Sequence, residues 1–265
     1  MTDNTISNLI ESFKRPYGLV LLICLAFWVF TYIYITNLIY YVDIGKVSVS
    51  KELYDTFVNL ASLCQYNLFF SVMAFLIAPQ IYRWKLLPEK PELKKLAYAL
   101  YGLGLFAVVG RILGFWAPVW SVEVLPVILS NLAVIISAIT ENAFLIGVIG
   151  GVLHKVFPES WQAILIAALI GLGAAFYHNW LIFIGRPYDL FVIFLAFFTF
   201  DLAAYTLNTT FFSDFIHLLG NTMAFFTMYP MAPLPIFSAI PGDVGYIGLF
   251  SMFILTLYMG VKYGK

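Results

Sequence analysis

Apolar stretches of membrane length recur along almost the whole chain. Eight can be drawn, at about 17–41, 56–82, 96–116, 124–153, 161–184, 190–207, 211–229 and 246–262. A helix needs about 20 mostly apolar residues to cross a bilayer, and the length and unbroken hydrophobicity of these runs favour helices over strands. The chain is 62% hydrophobic and 11% charged, whereas a soluble domain carries about 25% charged residues, so the solvent of this chain is lipid. The expected fold is all-α: a polytopic transmembrane helix bundle of about eight spanning helices, forming one integral membrane domain over residues 1–265. A net charge of zero gives no reason to expect a nucleic-acid partner.

The loops set an expected orientation. With the N-terminus in the cytoplasm, the inner side holds ten basic residues, among them Lys14, Arg15, Lys155 and Lys262, and the outer side holds Lys46, Lys51 and Arg186. That bias satisfies the positive-inside rule and, with an even number of spans, puts both termini in the cytoplasm. The first run follows Lys14 and Arg15, is about 25 residues long and has no A-x-A site after it, so it reads as a permanent helix and not a cleaved signal. Cys24 and Cys64 both fall in apolar spans and read as packing residues. The proline-rich stretch 230–245 reads as an outer-face loop or a broken re-entrant piece, a stiff connector being favoured over a gate.

Polar residues inside the spans carry the functional reading. Ionisable groups within spanning helices are rare and face a bundle interior or a wet cavity. Glu141 lies near the middle of the fourth run, in S-A-I-T-E-N-A-F, His178 in A-A-F-Y-H-N-W, and His217 in F-I-H-L-L-G-N. They follow one another at intervals of 37 and 39 residues, each on a separate run. A desolvated carboxylate is suited to acid–base work near neutral pH. His217 and Asn221 are four apart, which places them on one helix face about 6 Å apart along the axis, and both can donate to an oxyanion. Each also has a structural reading, as groups that tie helices together by hydrogen bonds. The small residues Gly171, Gly173, Ala174 and Ala175 allow close helix approach and would press His178 toward Glu141. Asp201, in the sixth run, and Asp214, three residues before His217, are candidates to orient a histidine or to cap a helix.

The order Glu, then His, then H-x-x-x-N resembles the CPBP intramembrane proteases, the family of type II CAAX prenyl endopeptidases and bacteriocin self-immunity proteins. Its first motif is E-E-x-x-x-R with a following Gly; here Glu141 is followed by Asn142, Ile146 and Gly147. Its second is F-x-x-x-H at the end of an A-I-L-I-S-S-like helix; here A-I-L-I-A-A starts at Ala163 and ends in Ala174-x-x-x-His178. The third, H-x-x-x-N, is matched in full by His217 and Asn221, and Thr210–Phe215 is similar to the approach to it. The resemblance covers about 120–225. It implies an intramembrane endopeptidase with a metal-independent glutamate mechanism. Glu141 and His178 would activate a water, His217 and Asn221 would hold the oxyanion, and no cofactor would be needed. The substrate would be a peptide or membrane protein, prenylated in some relatives. Asn142, Ile146 and Ala174 depart from the family pattern at supporting positions, and Arg111 is a candidate to replace the lost arginine's charge.

Other classes remain open from sequence. A rhomboid protease also carries H-x-x-x-N but needs a later G-x-S and a final histidine, which are missing here. Glu141 with the two histidines could ligate zinc, although no H-E-x-x-H is present. A proton-coupled transporter would use Glu141, Asp201 and the histidines as a relay, and a catalytically degenerate scaffold would use none of them.

Overall fold

The computed structural model describes residues 16–76, 87–112, 136–179 and 187–218, together with a few isolated positions between and beyond them. The described residues are helical and contain no strand. In chain order the helices are α1, Pro16–Asp43; α2, Lys51–Leu76; α3, Pro91–Ile112; α4, Ile136–Val156; α5, Ser160–Tyr177; α6, Asp189–Leu207; and α7, over 211–218. Among the described residues, four stretches are long and apolar enough to cross a membrane: Leu22–Asp43 in α1, and α4, α5 and α6. The chain is a membrane protein of helical type.

The outward faces suit lipid. Ile23 and Phe30 on α1, and Leu165, Leu169, Leu172 and Phe176 on α5, are exposed large apolar side chains. Lipid removes the hydrophobic drive between helices, so association rests on close packing and polar contacts. On α5 the buried face is made of Ala163, Ile166, Ala167, Ile170, Gly171 and Ala174. A Cβ on Gly171 would lie 2.6 Å from the Phe194 carbonyl oxygen of α6, so glycine is what allows these two backbones to approach. The small residues of α5 therefore seat it on α6. The core between α4, α5 and α6 is built from Leu145, Ile146, Ile166, Ile170, Phe197 and Phe200. A second cluster joins α1 to α2 through Trp28, Ile35, Phe57, Leu60 and Cys64. A third joins α3 to α6 and α7 through Leu93, Ala97, Ala203, Phe211 and Phe212. Cys24 and Cys64 are buried free thiols.

Two breaks in regular helix position the site. Residues Ala143–Gly150 of α4 form a π-helix, immediately after Glu141 and Asn142. A π segment is rare and is frequent at functional sites, because it re-aims the side chains beside it. The glycines at 147, 150 and 151 lower the cost of leaving α geometry, each being about 1 kcal/mol poorer than alanine in a regular helix. The second break follows α6, where Asn208 caps the helix in the left-handed region at φ 53°. Asparagine enters that region more readily than most residues. The polar turn 208–210 then sends α7 back along α6, with Ser213 Oγ donating to the Phe200 carbonyl at 2.8 Å.

Candidate functional site

Glu141, on the α-helical turn that precedes the π segment, is 6% exposed, and His217, in the last turn of α7, is 7% exposed. Glu141 Oε2 lies 3.7 Å from His217 Nε2. That is beyond direct hydrogen-bond length. The imidazole is clamped between two α6 rings: Phe200 stacks on it with centroids 5.5 Å apart, and Phe197 meets it edge-on at 5.1 Å. Both phenylalanines stand near the middle of α6, so the Glu141–His217 pair lies at mid-depth of that helix.

A hydrogen-bonded chain runs from His217 away from Glu141. His217 Nδ1 lies 2.9 Å from Asn142 Oδ1. Asn142 Nδ2 donates to Asp214 Oδ1 at 3.1 Å. Asp214 Oδ2 accepts from Thr210 Oγ1 at 2.9 Å and from Tyr101 OH of α3 at 3.4 Å. Asn142, Thr210 and Asp214 are all buried. Burying this many polar groups is tolerable only when each is paired, and each oxygen of Asp214 has a donor.

His178 stands apart. The sequence reading runs the fifth span to about 184, but α5 ends at Tyr177, and His178 is its cap with φ −89° and ψ 18°. Its backbone N–H and its Nδ1 both meet the Ala174 carbonyl, at 3.1 and 2.8 Å, so the side chain closes the helix end. Tyr177 packs edge-on against the ring at 4.6 Å and itself stacks on Tyr66 of α2 at 4.8 Å. The histidine within 4 Å of Glu141 is His217, not His178. The difference has a physical source: α5 spends its small residues on α6, and its end is set by the cap. Asn221, the side chain of Arg111 and the 230–245 segment lie outside the described residues.

A second buried polar pair occupies the other end of α4. His154 Nε2 lies 3.0 Å from Asp201 Oδ2, and the His154 ring stacks on Tyr205 at 4.7 Å. Asp201 is buried, and its carboxylate presses against Gly150 so closely that a Cβ there would collide with it. Among the described residues, His154 Nδ1 and Asp201 Oδ1 have no hydrogen-bond partner.

Sequence reasoning selected Glu141, His178, His217 and Asn221, read Asn142 only as a departure from the family motif and Thr210 only as part of the approach to His217, and passed over Tyr101 and His154. Asn142 carried a usable signal, being a second polar residue beside Glu141 in an apolar helix. His154 carried a weaker one: an aspartate buried in a span needs a partner, and it is the one histidine left unassigned. Nothing in the sequence marks Tyr101. Among the described residues, no group of three or more His, Cys, Asp or Glu side chains is arranged to hold a metal ion. No protein-family model, no curated protein and no solved structure matches the chain.

Proposed function

We propose that this chain is an intramembrane endopeptidase of the CPBP glutamate type, which cleaves a peptide bond near or within the bilayer with a water activated by Glu141 and a histidine. The observation that carries the reading is the buried Glu141–His217 pair at 3.7 Å. That gap is too long for a direct bond between the two groups, and one small molecule can hydrogen-bond to both. In the reaction, Glu141 takes a proton from the water as its oxygen attacks the peptide carbonyl carbon, and the same proton passes to the leaving amine. Water held in a desolvated, preorganised site gains from strengthened electrostatics and fixed dipoles. His217, held by two phenylalanines and Asn142, would share the water, and His178, the cap of α5, stands further off. Asn221 is carried as an oxyanion donor by the motif alone.

The reading includes eight spans with both termini cytoplasmic, and a substrate that is a peptide or membrane protein, prenylated or not. It is tested by reconstituting the protein in liposomes and measuring cleavage of a farnesylated CAAX peptide and of unprenylated membrane-helix reporters, with and without EDTA. Cleavage that resists EDTA supports the glutamate mechanism. Cleavage abolished by EDTA moves the site to metal chemistry, and no cleavage of any substrate by well-folded protein overturns the reading.

One observation favours a second reading, a proton-coupled transporter. His154 and Asp201 form a buried imidazole–carboxylate pair with a spare polar atom on each, of the kind that proton relays use. In that reading Asp201→Asn abolishes transport and Glu141→Gln alters its pH dependence.

A further inference from the structure

The tautomer of His217 follows from its neighbours. An ionised carboxylate only accepts hydrogen bonds, and the deduction holds for Asp214 in that form. Asp214 receives Asn142 Nδ2 on one oxygen and the hydroxyls of Thr210 and Tyr101 on the other. The amide of Asn142 is thereby oriented with its NH₂ toward Asp214 and its oxygen toward His217. An amide oxygen only accepts, so His217 Nδ1 must carry the ring proton. The neutral imidazole then has a bare lone pair at Nε2, and Nε2 is the atom that faces Glu141 Oε2.

We propose that Asp214 is a positioning residue that acts through Asn142 to lock His217 as the Nδ1–H tautomer, so that His217 Nε2 and Glu141 Oε2 form a two-acceptor cleft for a hydrogen-bond donor. With Glu141 ionised, its Oε2 and the bare Nε2 are two acceptors 3.7 Å apart that have nothing to offer each other. They are complementary to a molecule with two O–H or N–H bonds, and water is the smallest. This deepens the peptidase reading and rests on it for its function, but it changes a role. The family resemblance casts His217 as a donor to the oxyanion; the Asp214–Asn142 chain makes it an acceptor, a base that shares the attacking water with Glu141. It also gives Asn142 a purpose. A glutamate at this position would present acceptors to both Asp214 and His217, and two facing carboxylates disfavour each other. The amide supplies a donor to one and an acceptor to the other.

The test is magic-angle-spinning NMR of protein carrying ¹⁵N-histidine in lipid bilayers at neutral pH, with the His217 resonances assigned by their loss in His217→Gln. The expected wild-type spectrum shows His217 with a protonated Nδ1 and a bare Nε2. In Asp214→Asn the new side chain can donate as well as accept, so the Asn142 amide is free to turn over. A second population, protonated at Nε2, is the expected result. A wild-type His217 protonated at Nε2, or at both nitrogens, overturns the proposal. So does an unchanged single tautomer in folded Asp214→Asn. The spectrum needs no substrate, so absence of peptide cleavage would remove the peptidase reading while leaving the tautomer lock to stand or fall on its own. Where cleavage is present, Asp214→Asn is expected to lower kcat and leave KM unchanged.

Discussion

At the scale of single residues, the site is a carboxylate and an imidazole in a desolvated setting, and each has its own expected effect. Glu141→Gln keeps the shape of the side chain and removes the base. Peptide cleavage is expected to fall at least about 10²-fold in kcat, the usual contribution of general acid–base catalysis, with the unfolding midpoint in mild detergent unchanged. Asp214→Leu acts differently. It removes the acceptor that Asn142, Thr210 and Tyr101 share, so a loss of about 1–3 kcal/mol of stability is expected, read as a lowered thermal midpoint. Glu141 and His217 were legible in the sequence because charge and imidazole are conspicuous in apolar runs. The roles of Asn142 and Tyr101 were not, because they depend on which helices touch. Tyr101 is 113 residues from Asp214, and no local pattern records that they meet.

At the scale of helices, the packing of α5 on α6 rests on one glycine. Gly171→Ala would drive a methyl group into the Phe194 carbonyl and force the helices apart, at an expected cost of about 1–3 kcal/mol. Gly173 is two residues away and has open space where its Cβ would be. Gly173→Ala is expected to be neutral or to stabilise by up to about 1 kcal/mol through helix propensity. Comparing the two unfolding midpoints checks the account, and equal shifts would contradict it. The small residues on α5 were legible as a packing face, but their partner was not, since a stripe of Gly and Ala fits any close neighbour. The end of α5 was also hidden: hydrophobicity continues past Tyr177 to about 184, while the cap made by His178 stops the helix. The π segment had no readable signature beyond its glycines, because the apolar run A-F-L-I-G-V-I-G suits α and π geometry equally.

At the scale of the whole molecule, helical class and membrane solvent follow from composition and run length, and the described helices agree with both. Span count and orientation belong to the proposal and have a direct check. Eight spans put Lys46, after α1, and Lys155, at the end of α4, on opposite sides of the bilayer. In protein with Cys24 and Cys64 replaced, single cysteines at these two positions are expected to show opposite reactivity toward an impermeant maleimide in sealed vesicles. Labelling of both from one side would contradict the count. The two buried polar pairs of α4 divide the functional readings between them, and one comparison separates these. It is the rate of reporter-peptide cleavage in liposomes by wild type, Glu141→Gln and Asp201→Asn, each shown to be folded. The Glu141–His217 account predicts cleavage by wild type, its loss in Glu141→Gln, and a rate within about twofold of wild type in Asp201→Asn. Cleavage that survives in Glu141→Gln, or is absent from wild type, would contradict it.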